Sequence, residues 1–168
     1  MDEIRVLFGK PAIRDSARLI SALKDLQSRH GCIAQALDAD LVVSERHIFF
    51  AAEKALAAFS EGRNIAKNRG MEIMRYASGE RQPERAFVIG ITDSTERIAL
   101  VLANPGEGCC WPDSVELSGI IELDGRGCSF DAKAVVRAFH ISSEELSAVG
   151  KERIDDLVLE RVALADTY

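Results

Sequence analysis

Apolar positions along the chain switch between strand-like runs and helix-like stripes, and the changes of period divide it into elements. Ile4 to Phe8 is a mostly apolar, β-favouring run broken by Gly9-Lys10-Pro11, which predicts a first strand and a turn. From Asp15 the residues Leu19, Ile20, Leu23 and Leu26 recur at helical spacing, with Asp15 or Ser16 as cap and Gly31 just past the end. Short apolar runs at Cys32 to Leu37 and Leu41 to Val43, separated by Asp38-Ala39-Asp40, predict one or two strands. The clearest helix follows Ser44, a good N-cap. It carries Ile48, Phe49, Ala52, Ala55, Leu56 and Phe59 on one face and ends at Gly62.

In the next stretch Ala66, Gly70, Ile73, Met74 and Ala77 fall on one arc, while Lys67, Glu72 and Arg75 fall on the other. The pattern predicts a helix closed by Gly79, with those three charged residues on its polar side. Pro83 suits the first turn of a short helix running towards Ile89. Arg97 to Ala103 is apolar in every residue after Arg97 and reads as a central strand, and Val115 to Leu123 as a weaker one between the loops at Asn104 to Gly108 and Gly125 to Gly127. Asp131 caps a helix containing Ala134, Val135, Ala138 and Phe139; Ser142 or Ser143 starts a short one; Ile154, Leu157, Val158 and Val162 stripe a last helix. The expected architecture is a single α/β domain of mixed α+β character over residues 1–168, with a central mixed sheet of about four to five strands flanked by helices.

Composition narrows the function classes. The chain has 168 residues, 47% of them hydrophobic and 29% charged, and contains no apolar run long enough for a membrane span. The start, Met1 to Phe8, lacks a basic and apolar leader pattern, so a cytoplasmic location is expected. Cys32, Cys109, Cys110 and Cys128 form no C-x-x-C pair and have no H-x-x-x-H companion, so zinc is not expected and the thiols read as structural or incidental. Phosphate-loop, zincin, nucleophile-elbow and dinucleotide fingerprints are absent, and His30 and His47 have no placed acid or cysteine partner in the sequence. No cofactor, metal or catalytic residue is expected.

The net charge of −6 disfavours nucleic acid as a whole-chain partner, but it is unevenly distributed. Arg63 to Arg85 carries six basic residues against three acids, whereas Ser142 to Tyr168 carries seven acids against three basic residues. Around Gly79 the segment Met71 to Gln82 puts cationic and amide side chains at a helix-to-helix turn. There backbone N–H groups can receive an anion, Arg81 can bind phosphate in bidentate fashion, Gln82 can meet a base edge, and the small Ser78 and Gly79 allow close approach.

Ser44-Glu45-Arg46-His47, Gly62-Arg63-Asn64-Ile65-Ala66, Met71-Glu72-Ile73 and Ala77-Ser78-Gly79-Glu80-Arg81-Gln82 occur in an order that closely resembles the PRPK-binding subunit of the KEOPS complex, especially its archaeal members. The likeness is strongest from Leu41 to about Ile91 and returns at Val158 to Leu164. Pro83 replaces the larger aliphatic residue expected there, and Asn104 to Cys128 has no counterpart in the pattern.

The resemblance implies a non-catalytic subunit of a tRNA-modifying complex. It would bind the CCA tail of tRNA and a small kinase-like ATPase, and through that partner serve the catalytic subunit that makes threonylcarbamoyl-adenosine. The residues it implies for RNA are Asn64, Arg75, Ser78, Gly79, Arg81 and Gln82, with Lys67 and Arg69 as neighbours of suitable charge. For the partner, Leu159 and Leu164 lie off the Ile154-Leu157-Val158-Val162 stripe and give the last helix more apolar surface than one core contact requires. A more deeply buried helix reads the same way. The alternative function is a purely structural or allosteric regulator of the kinase-like subunit without direct RNA contact; an enzyme using Cys109 and Cys110 ranks below both.

Overall fold

The structure is a computed structural model that describes residues 3–104, 106 and 110–167. Four strands, β1 (Glu3–Pro11), β2 (Ile33–Asp38), β3 (Ile98–Asn104) and β4 (Ile121–Leu123), form one sheet in the order β2-β3-β1-β4. Eight helices are described: α1 (Ser16–His30), α2 (Glu45–Ser60), α3 (Arg69–Ser78), α4 (Pro83–Ala86), α5 (Ser114–Ser118), α6 (Ala132–Ala138), α7 (Ser143–Val149) and α8 (Ile154–Ala163). The α/β domain with a four-stranded sheet is as expected, but every pairing is antiparallel where a mixture of directions was anticipated. The cause is insertion: β1 and β2, joined through α1, run the same way with a gap between them, and β3 fills the gap antiparallel to both.

The apolar run of β3 is explained by coverage on both faces. Ile98, Leu100 and Leu102 pack with Leu19, Leu23 and Leu26 of α1. Ala99, Val101 and Ala103 belong to the opposite core with Ile48 of α2, Ile73 of α3 and Val158 of α8. A strand sandwiched this way has no polar face to present, and each buried Leu or Ile contributes roughly 1.5–3 kcal/mol by leaving water. No helix of the described residues is long and apolar enough to cross a membrane.

Caps define most helix starts. The side chains of Asp15, Ser44, Asn68, Asp131 and Ser142 accept backbone N–H groups of the turns they open. Two expected strand segments come out differently. Leu41 to Val43 begins inside a 3₁₀ turn at Ala39–Leu41, because the Asp38 carboxylate takes the Asp40 N–H and curls the chain. Val115 to Leu123 divides into α5 and β4: Asp113 and Glu116 make a reciprocal capping box that wins over the β-propensity of the first residues, and only Ile121–Leu123 reaches the sheet edge beside β1. Residues 105, 107 and 108 of the loop expected at Asn104 to Gly108, and Cys109 after it, lie outside the described residues.

Candidate functional site

The segment from Arg63 to Arg85 folds as a loop, α3, a tight turn and α4. Glu72 is fully buried and staples the loop to the helix: its carboxylate accepts the N–H groups of Ile65 (2.9 Å) and Ala66 (3.2 Å) and the Nε–H of Arg75 (2.6 Å). Asn64, expected at the RNA, spends its amide N–H on the Ala66 carbonyl at 3.0 Å. The buried acid is thus compensated on both oxygens, as an interior charge must be.

Arg75, expected at the RNA, is also fully buried, and α3 does not turn Glu72 and Arg75 towards water as the helical pattern predicts. Its guanidinium binds Glu72, the carbonyls of Glu80 (3.3 Å) and Arg81 (3.4 Å), and the Asp166 carboxylate (3.4 Å). Burial by itself works against the charged form, but Glu72, Tyr76 and Asp166 together outweigh it and keep the guanidinium protonated. Arg75 therefore shapes the turn from inside.

That turn is over-determined. Ser78 Oγ donates to the Arg75 carbonyl (2.8 Å) and accepts the Glu80 N–H (3.2 Å). Gly79 closes α3 at φ +72°, where an added Cβ would stand 2.8 Å from Cβ of Arg161. Beneath it, fully buried His47 of α2 donates from Nε2 to the Ala77 carbonyl at 2.7 Å and accepts the Val43 N–H at Nδ1 (3.3 Å). An N–H can only donate, so the neutral Nε2–H tautomer is the one that fits. Burial lowers the His47 pKa to about 4. On the outer side of the turn, Arg81 and Gln82 are exposed; Arg81 Nη1 donates to the Asp166 carbonyl (2.9 Å), and Gln82 stands before α4 without a side-chain capping bond.

A groove of about 660 Å³ opens on the other side of α3, between α1, β2 and the 3₁₀ turn at Phe87–Ile89. Its floor includes Ile33, Met71, Met74 and Ile91; Phe87, 61% exposed, stands at its edge, and Arg69 stacks 5.1 Å over Phe59. Among the described residues, Lys24, Lys67 and Arg69 are the charged ones that line it and no acid does, although the chain holds 27 acids. A concave, apolar floor with cations alone on its rim suits an anionic ligand carrying flat apolar groups. Of the eight residues expected at RNA, Lys67 and Arg69 line this groove. Ser78, Gly79, Arg81 and Gln82 form the turn at the far end of α3, while Arg75 and Asn64 are engaged internally. Sequence reasoning did not reach Lys24, Gln35, Phe59 and Phe87. They come from four separate elements, and the one local signal was the adjacent exposed pair Phe87-Val88.

The last helix is more enclosed than expected for a partner surface. Ile154, Leu157, Val158, Leu159 and Val162 are all buried, α8 packing on α2, α3 and α7. Leu159 turns inward because neighbours flank α8 on more than one side, which leaves half-buried Asp155, Asp156 and Leu164 and exposed Glu160 among its accessible residues. Arg161 binds the carbonyls of Phe139 (3.0 Å) and His140 (3.3 Å) and the Glu145 carboxylate (2.9 Å); that last bond holds the Glu145 carboxyl down to about 2.

No curated protein matches the chain. A single family model spans nearly all of it, from the turn after β1 through α3 and its turn to the end of α8: that of the kinase binding protein CGI-121, which matches residues 12–166, and the chain belongs to this family.

Proposed function

We propose that this chain is a non-catalytic adaptor of the KEOPS tRNA-modifying complex that holds the CCA tail of tRNA and docks on the kinase-like ATPase subunit, thereby supporting threonylcarbamoyl-adenosine synthesis. The family's kinase binding supports the second half of this reading. The observation that carries the first half is the groove beside α3, lined among the described residues by the cations Lys24, Lys67 and Arg69 without an acid, and by Phe59 and Phe87 as aromatic surfaces. A single-stranded RNA end needs cations for its phosphates and flat apolar faces for its bases, and this groove supplies both. Arg81 and Gln82, exposed past the end of α3, add a cation and an amide at the far end of that helix, apart from the groove. For the kinase-like partner, the outward Asp155, Asp156, Glu160 and Leu164 of α8 replace the buried stripe as the contact surface.

The test compares intact tRNA with tRNA lacking its CCA tail in gel-shift titrations over a salt series. Binding is expected to weaken steeply with salt and to fall on removal of the tail. Lys67→Ala and Arg69→Ala should each reduce the log–log salt slope by about one. Equal affinity for the truncated tRNA refutes end recognition. Titration of the kinase-like subunit against a chain with Asp155, Asp156 and Glu160 changed to Lys and Leu164 to Asp tests the other surface; unchanged affinity removes α8 from that role.

A second reading, regulation of the partner without RNA contact, draws on Asp166. Its carboxylate binds Arg75 and its carbonyl binds Arg81, so part of the cationic turn is already satisfied within the chain. That reading predicts no tail-dependent binding by the isolated chain.

A further inference from the structure

At the C-terminal end of α1 a thiol, an imidazole and a carboxylate stand in a row. Cys110 Sγ lies 3.2 Å from His30 Nδ1, and His30 Nε2 lies 2.6 Å from Oε2 of Glu116. Cys110 is exposed, whereas the side chains of His30 and Glu116 are 13% and 23% exposed. The thiol is also placed by the main chain, because the Cys110 N–H donates to the His30 carbonyl at 2.9 Å. The following residue, Trp111, is tied to β1 by Arg5, 4.2 Å above its ring, and by a bond from its Nε1 to Glu3 (3.3 Å).

Each contact has a chemical consequence. Glu116 is an acceptor, so it selects the tautomer with hydrogen on Nε2 and leaves the Nδ1 lone pair facing the thiol. The hydrogen bond from His30 in turn holds the Glu116 carboxyl below the usual carboxylate range. The ring that receives the thiol proton lies beside that carboxylate, on the last residue of the 15-residue α1. Arg29, bonded to the same Oε2 at 2.7 Å, is the opposing charge; Asp113, whose N–H reaches Oε1 of Glu116, is the other ionisable neighbour. Cys128 offers a contrast within the same chain: it is half-buried, its thiol donates to the Val42 carbonyl, and burial raises its pKa.

We propose that Cys110 is a base-assisted thiol, activated by His30 and Glu116, which forms mixed disulfides with low-molecular-weight disulfides of the glutathione type. As Sγ attacks one sulfur of the disulfide, its proton passes to His30 Nδ1. The bond from Cys110 Sγ to that sulfur forms, the old S–S bond breaks, and the departing thiolate takes the proton back from the imidazolium. Cys110 is oxidised, the small disulfide is reduced to one free thiol and one mixed-disulfide half, and no further oxidant enters. This assignment is independent of the RNA and kinase surfaces.

The experiment follows mixed-disulfide formation on the full chain with oxidised glutathione from pH 6 to 9, read by fragmentation mass spectrometry that separates Cys110 from Cys109. Cys110 is expected to react first and, below pH 7, at least about tenfold faster in the wild type than in His30→Gln, whose profile should move to higher pH. Glu116→Gln keeps the base but loses its anchor and should show a smaller displacement in the same direction; it serves by the same criterion if His30→Gln fails to fold. Superimposable pH profiles for wild type and folded variants, or modification of Cys128 ahead of Cys110, would overturn the assignment.

Discussion

Tyr76 and Asp166 meet across 90 positions of sequence, the phenolic hydroxyl donating to the carboxylate at 2.6 Å. The same carboxylate takes Arg75 from α3 and lies 3.8 Å from Nη1 of Arg63 in the loop before it. Burial pushes the Asp166 carboxyl up, but the bonds from Tyr76 and Arg75 outweigh it and hold it below its ordinary value. The chain beyond α8 is thereby latched over the end of α3.

Asp166→Asn keeps the shape and removes the charge. The expected loss is about 1–2 kcal/mol, discounted because the carboxylate is partly exposed. Tyr76→Phe should lose a similar amount. Since the Tyr76 hydroxyl is shared between both Asp166 oxygens, at 2.6 and 2.8 Å, the double variant should lose less than the two singles added together. Urea unfolding midpoints decide this; strict additivity would show that the latch is not formed in solution.

Glu72→Gln should be far more costly, roughly 3–5 kcal/mol, because it strands the buried Arg75 guanidinium and weakens the bonds to Ile65 and Ala66. Replacing both, as Glu72→Gln with Arg75→Met, is expected to recover part of that loss. The pair specifies geometry more than it stabilises, and a double variant less stable than the single one would contradict this.

Gly79→Ala and Gly62→Ala separate two effects, since both glycines sit near φ +70°. Gly62 has nothing within 4 Å of an added Cβ, so only the left-handed backbone is strained, at about 1 kcal/mol. At Gly79 the new methyl group also meets Arg161 at 2.8 Å and must push α8 outward. A loss at least about 1 kcal/mol larger is expected there, measured by thermal or urea unfolding. Equal losses would place α8 farther from the turn than described.

His47 supplies a pH dependence. Its folded-state pKa is about 4 against an ordinary 6.5, so the unfolded chain binds the proton first as pH falls. Its contribution is complete above about pH 6.5 and drains away towards pH 4, by roughly 3 kcal/mol in total. Asp124, held to about 2 by Arg97, and Glu145, held to about 2 by Arg161, add losses of the same sign at lower pH, below their ordinary values of 3.8 and 4.5. Unfolding free energies from pH 8 to 4 should slope downward in the wild type and flatten in His47→Gln. A level wild-type curve between pH 6.5 and 4 would mean that the imidazole reaches water.

The sequence by itself determined whatever depends on neighbours in the chain. Helix starts at Asp15, Ser44, Asp131 and Ser142 were legible because a cap acts within three residues, and β3 was legible because a strand covered on both faces has no polar side to alternate. The cationic character of the segment around α3 was legible for the same reason. Tertiary structure decided which of those cations face outward. A helical wheel assigns Glu72 and Arg75 to the polar side, but α2, the loop before α3 and the latch at Asp166 enclose that side, so the charges neutralise each other indoors. The buried face of Leu159, the groove that brings Lys24 of α1 beside Lys67 and Arg69, and the approach of Cys110 to His30 across 80 residues all arise from contacts between distant segments. Periodicity carries one angle per residue; it cannot encode how many neighbours a helix acquires or which remote side chains they bring.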